Sequence, residues 1–166
     1  MRPGDVVFAG SGDDGRGKVT MARGRPVARY RELTRPECLE RLAAGGLGRI
    51  AVTFGADHRP VVRPVDYAFD KASQAVVFRT VEGSKFHALV RARRACFEID
   101  GIDPGRLEGW SVIVQGVCEL ISSLMEVERL EGLGLPSWAS GPGCHWMRIR
   151  TETVTGRRIT RVEASG

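Results

Sequence analysis

From residue 48 to residue 160 the chain returns again and again to one pattern. A short run rich in Val, Ile and Phe is followed by a cluster of Gly, Asp, Pro or Ser. β-Branched and aromatic side chains suit a pleated, half-buried surface, and turn residues at this spacing reverse the chain before a long helix can form. Residues 48–54, 60–69 and 75–80, joined by the turns 55–58 and 70–73, predict an antiparallel meander. Residues 95–100 and 110–121, the latter after a Gly/Asp/Pro loop over 101–109, continue it, and 144–151 and 154–160 complete the sheet. Pro64 lacks an N–H and marks an edge position or a bulge. About six strands with few short helices predict a mainly β fold closed into a small barrel, because closure removes unpaired strand edges. A doubly wound sheet is excluded, since strands do not alternate with long helices and no Gly-x-Gly-x-x-Gly follows a strand.

The helical signals are local. Thr34-Arg35-Pro36-Glu37 has the spacing of a capping box, Cys38, Leu39, Leu42 and Ala43 follow at helical period, and Gly45-Gly46 stops the turn. A second helix is predicted over 84–93 with Phe86, Leu89 and Val90 inward. Ser123-Leu124-Met125-Glu126 repeats the capping-box spacing and predicts a third helix to about residue 132, before a loop over 133–143 that contains Pro136, Trp138 and Pro142.

A chain of 166 residues fits a single domain. Its net charge of +5 is concentrated at one end: residues 1–31 hold seven basic and three acidic side chains, which leaves a nearly neutral remainder. Low hydrophobicity and many glycines make 1–31 a flexible basic leader, with the domain over 32–166. A basic leader on a neutral body does not supply the basic face that phosphate-backbone binding needs, so a nucleic-acid partner is not expected. No apolar run approaches the ~20 residues of a membrane span. Cys38, Cys96, Cys118 and Cys144 are scattered without zinc spacing and read as reduced thiols of a cytoplasmic protein. His58, His87 and His145 show no ligand spacing either, so no metal is expected. A Cys/His nucleophile at Cys118 or Cys144 would need a reactive thiol, and both lie in strand patterns where a thiol is ordinarily buried and inert.

The stretch that carries chemistry is Phe78-Arg79-Thr80-Val81-Glu82-Gly83-Ser84-Lys85-Phe86-His87. An apolar strand ends at Arg79-Thr80, turns at Gly83 and opens a helix with Ser84-Lys85. A helix N-terminus offers unpaired N–H groups and the positive end of its dipole, which together favour an anion. Thr80 and Ser84 add hydroxyls, Lys85 adds charge, and Arg79 adds a fork suited to phosphate oxygens. The same spacing also suits a plain Ser N-cap with Arg and Lys solvated.

Taken in order, Arg63-Pro64-Val65-Asp66-Tyr67, Phe78-Arg79-Thr80 with Gly83-Ser84-Lys85, Phe97-Glu98-Ile99-Asp100 and Gly109-Trp110-Ser111-Val112-Ile113-Val114-Gln115-Gly116 resemble the pyridoxamine 5′-phosphate oxidase-like family of FMN-binding split β-barrels. Trp146-Met147-Arg148-Ile149 and Thr155-Gly156-Arg157-Arg158-Ile159 resemble its small branch near the nitroimidazole-resistance proteins. The likeness spans about 34–160. It implies a homodimer with FMN at the interface and a small-molecule substrate. Thr80, Ser84 and Lys85 would then hold the FMN phosphate, assisted by Arg79 or Arg63. The Arg63-Pro64-Val65 strand would run under the flavin ring, with Trp110 and Ser111 near it and Trp146 closing the site from the partner. Only Lys85 follows the serine where pyridoxamine phosphate oxidases carry two adjacent basic residues, and their substrate-contacting residues are not recognisable in this shorter C-terminus. The resemblance therefore implies an FMN-dependent oxidoreductase rather than vitamin B6 oxidation. Other members of the superfamily use the deazaflavin F420 or bind haem, and a non-catalytic flavin- or haem-binding module is the alternative.

Overall fold

The computed structural model describes residues 16–19, 27–54, 59–135 and 143–162. The expected turn at 55–58 with His58, and Pro136, Trp138 and Pro142 of the expected loop, lie outside the described residues. The elements in chain order are β1 (Arg16–Val19), β2 (Val27–Glu32), α1 (Arg35–Ala43), β3 (Gly46–Phe54), β4 (Arg59–Asp70), β5 (Ala75–Val81), α2 (Ser84–Ala92), β6 (Arg94–Asp103), β7 (Glu108–Ile121), α3 (Leu124–Glu131), β8 (Cys144–Arg150) and β9 (Thr153–Val162).

All ladders are antiparallel, and six strands close a ring in the order β7-β6-β3-β4-β5-β8, with β8 returning to β7. This is the mainly β barrel that the strand pattern predicts. Closure depends on β7, whose residues 108–115 pair with β9 while 118–121 pair with β8. The turn from β8 to β9 therefore crosses over Gly116. A Cβ there would lie 1.7 Å from the Arg150 carbonyl oxygen, so no side chain fits at the crossing.

Beyond β9 the sheet continues through β2 and β1. This corrects the expectation of an unstructured leader for part of 1–31: Ala28, Arg29, Tyr30 and Arg31 pair with β9 residues Arg161 to Arg158. Local composition predicts disorder where no partner is available, but here the open edge of β9 supplies the hydrogen bonds that the segment's own sequence does not. Residues 1–15 and 20–26 lie outside the described residues.

The core forms two clusters. Ile50, Phe78, Phe97, Val112, Val114, Met147 and Ile149 fill the barrel. Val77, Ile121, Leu130 and Trp146 lie between the barrel wall and α3. β5 has both faces covered, Val76 and Phe78 toward the first cluster and Val77 toward the second, which is why its sequence runs apolar without alternation.

The helix caps divide. At α1 the capping box forms: the Thr34 hydroxyl oxygen accepts from the Glu37 N–H and a Glu37 oxygen accepts from the Thr34 N–H at 2.8 Å. At α3 the Ser123 side chain makes no capping bond, and the Glu126 carboxylate that would reach back to the Ser123 N–H accepts from Arg148 at 2.6 Å instead. In α2 the inward face is Ala88 and Leu89 with Phe86 half-buried, whereas Val90, expected inside, is exposed. Pro64 lies where β4 pairs with β3 alone, so its missing N–H leaves no ladder bond unmade.

Helix α3 is tied down by a fork. Buried Asp70 accepts two hydrogen bonds from the Arg129 guanidinium, at 2.9 and 2.7 Å, and further ones from Ser73 and the Ala72 N–H. Chiefly through Arg129, these hold the Asp70 carboxyl down to about 2, against the opposing effect of burial. A depressed carboxyl contributes stability that is present above its unfolded value near 4 and lost as the pH falls toward 2. Arg129→Met is expected to cost about 1–3 kcal/mol at neutral pH, since it leaves a buried carboxylate short of donors. Urea unfolding at pH 7 and pH 3 checks this: the variant's deficit should shrink at the lower pH, and Gly116→Ala should be destabilised by about 2–4 kcal/mol at both.

Candidate anion-binding site

Before Tyr67, β4 pairs with β3 alone, because β5 pairs only with Tyr67 to Asp70, while β3 keeps β6 on its other edge over Arg49 to Ala51. On β4 the residues that face inward alternate, so Val61 and Arg63 continue the face of Val65 and Tyr67. Helix α2 lies against this extension. Ile50 and Val52 of β3, Val61 and Arg63 of β4, and Ser84, Lys85 and Ala88 of α2 line one concavity of about 60 Å3. Three residues singled out in the sequence, Arg63, Ser84 and Lys85, thus meet from two segments twenty residues apart.

The electrostatics of this hollow are one-sided. Burial pushes the Lys85 ammonium below its ordinary value, and the neighbouring Arg63 charge pushes it in the same direction. Arg63 donates only to the Val62 carbonyl, and no carboxylate meets either cation among the described residues. Elsewhere the strands carry compensated charge, as where Glu119 accepts from Arg148 and Arg150 at 2.9 and 3.0 Å. Two cations over an apolar floor, one of them half-buried, are stabilised by an anion and destabilised by one another. The first turn of α2 adds to the same side. Its N-cap is Gly83 rather than Ser84, and no side chain caps its N–H groups. The plain Ser N-cap is thereby ruled out.

The other candidate residues are distributed differently. Thr80 is buried on β5, where its hydroxyl donates to the Val81 carbonyl at 3.3 Å. Val65 is buried in the barrel, and Pro64 is exposed on the opposite face of β4. Arg79 faces away from the hollow: its guanidinium lies 4.6 Å from the Trp146 ring centroid and 3.7 Å from Glu131 of α3. Trp146 itself is buried within its own chain beneath α3, at 6% exposure. That is a correction to the expectation of a surface Trp reaching across to a partner. Trp110 is half-buried over Gly101 with the Arg41 guanidinium 4.3 Å above it, and Ser111 pairs with Asp100 and Arg157. Neither lines the hollow. Arg158 is paired with Glu108.

Nucleophilic and metal chemistry find little support. Burial pushes the Cys118 thiol up to about 12, which removes the thiolate, and raises Cys38 and Cys96 as well. No group of three His, Cys, Asp or Glu among the described residues could hold a metal. The sequence reading missed the apolar floor of Ile50, Val52, Val61 and Ala88. Its only signal in the chain was the matching parity of 61, 63 and 65 on one strand, which acquires meaning once α2 is known to lie on that face.

A family model described as pyridoxamine 5′-phosphate oxidase matches residues 34–163. An uncharacterized protein of Mycobacterium tuberculosis, Rv0080, is 33% identical over 133 residues, covering 77% of this chain and 84% of its own length. Among solved structures, an FAD binding protein from Mycobacterium smegmatis superposes with a TM-score of 0.62 at 32% identity, over 76% of this chain and 98% of that one. An FAD-binding protein from Mesorhizobium loti gives a TM-score of 0.64 at 26% identity, over 78% and 97% of the two chains.

The mutual repulsion in the hollow can be measured without any ligand. Removing the charge by Arg63→Gln should raise the Lys85 pKa part of the way toward that of an ordinary lysine, with burial holding the remainder of the shift. An NMR titration of the lysine side-chain resonances reads this directly, and an unchanged Lys85 would separate the two cations.

Proposed function

The chain belongs to the pyridoxamine 5′-phosphate oxidase family, and from that premise we propose that it is a flavin-dependent oxidoreductase that holds FMN by its phosphate. The observation that carries this reading is the uncompensated pair Arg63 and Lys85 beside the open N-terminal turn of α2. The residues fit the group. A terminal phosphate monoester carries close to two negative charges at pH 7, and the hollow offers two positive ones. FAD spreads the same two charges over a diphosphate esterified at both ends, whereas FMN concentrates them on one terminal group, which suits a single small hollow even though two structural relatives are named for FAD.

In this reading Lys85 and Arg63 neutralise the phosphate, and Ser84 with the first N–H groups of α2 donates hydrogen bonds to its oxygens. The apolar floor of Ile50, Val52, Val61 and Ala88 excludes water beneath it, which strengthens each of those interactions. When bound, a flavin supplies hydride or electron transfer, and the protein's part is to place and shield it. Among the described residues no acid or base lines the hollow apart from Lys85, consistent with redox chemistry that needs no side-chain proton donor. A homodimer in the cytoplasm, acting on a small molecule, completes the proposal. The outward face of the sheet supports the dimer, with Leu47, Val62, Ile102 and Ile113 exposed on adjacent strands.

Titration of the purified chain with FMN, FAD and riboflavin, followed by flavin fluorescence, tests the reading. FMN should bind tightest, and riboflavin, which has no phosphate, weakest. Lys85→Ala should weaken FMN by about 1.5–3 kcal/mol and leave riboflavin unchanged. Because a cationic Lys85 persists only below its lowered pKa, FMN affinity should fall as the pH rises, beginning at a lower pH than an ordinary lysine would dictate. Equal affinity for FMN and riboflavin would refute the phosphate seat.

A further inference from the structure

We propose that His145 is a positioning residue for the anion seat, acting on Lys85 and Ser84 through a stack on Phe86; the proposal rests on the flavin reading above. Nothing caps the start of α2 with a side chain, and its N-cap, Gly83, is extended at φ 161°. Another contact must therefore set where the first turn points. The first residues of β8 supply it. The Gly143 carbonyl accepts from the Glu82 N–H at 3.1 Å, one residue before Gly83. The His145 ring then lies 4.5 Å from the Phe86 ring at 21° between planes, a stacked pair.

Phe86 follows Lys85 directly, and its other contacts run into the barrel core. Successive residues of a helix are fixed relative to one another at about 100°. Pinning the Phe86 ring therefore fixes the rotation of the whole turn about its axis, and with it the direction in which Lys85 leaves α2 toward Arg63. His145 is itself held in register, since it pairs with Thr80 at the end of β5. Both sides of the bend over 81–83 are thus referred to one strand. The flanking His87 ring meets Phe86 edge-on at 5.5 Å but is exposed, with Glu82 3.8 Å away, and contributes no comparable constraint.

Two readouts on the full chain decide the matter, one of which needs no flavin. In the ligand-free protein, His145→Ala should speed hydrogen exchange at the His87 amide, which donates to the Gly83 carbonyl at 3.0 Å, while core amides of β7 stay protected. In flavin titrations the same variant should weaken FMN by about threefold to tenfold, the worth of one aromatic pair, with riboflavin unaltered. His145→Phe, which keeps a stacked ring and loses the imidazole, should restore both. Unchanged exchange, unchanged FMN affinity, equal weakening of riboflavin, or failure of the Phe variant to rescue would each overturn the proposal. If the wild-type chain binds FMN no better than riboflavin, the phosphate seat fails instead, and faster exchange in His145→Ala would then show a helix-fixing contact that serves no such seat.

Discussion

One strand closes this barrel by pairing twice on the same edge. β7 gives its first half to β9 and its last residues to β8, so the turn between those two strands must pass over its backbone. Gly116 is the point at which that crossing is sterically possible. With β8 fixed against both β7 and β5, β4 is needed for the ring only over Tyr67 to Asp70, where it pairs with β5, and its earlier residues run on beside β3. The hollow that concerns function lies where α2 covers that stretch.

Charge compensation gives the hollow its character. Arg129 forks onto Asp70, Arg148 bridges Glu119 and Glu126, and Arg49 meets Glu98 and Asp100. These pairs lie on strand faces and helix edges, where the side chains reach one another across the ladder. Arg63 and Lys85 instead border one apolar hollow, where the Arg63 charge acts on the Lys85 ammonium. Two like charges left together in this way are stabilised by an anion bound between them, which is the basis of the proposed phosphate seat.

Much of the fold was legible in the chain because its signals are local. The α1 capping box, the apolar β5 run and the Gly-rich turns each specify structure within a few residues, and the strand, bend and helix start over 78–87 follow the order that the sequence predicts. What escaped depended on distant partners. Glu126 forms no capping box because Arg148 is within reach, Trp146 is buried because α3 folds over it, and Arg29 to Arg31 become a strand because β9 has an open edge. Arg79 illustrates the limit most sharply. It is adjacent to Thr80 in sequence and chemically suited to phosphate, yet the two-residue period of a strand turns it to the opposite face, toward Trp146.

The central claim is that Lys85 and Arg63 share a hollow that an anion completes. The most direct test follows the Lys85 ammonium by NMR across its titration, with and without saturating FMN. The Lys85 pKa should start below the ordinary lysine value and rise when the phosphate binds. A Lys85 that titrates identically in both states would place the phosphate elsewhere and contradict the account.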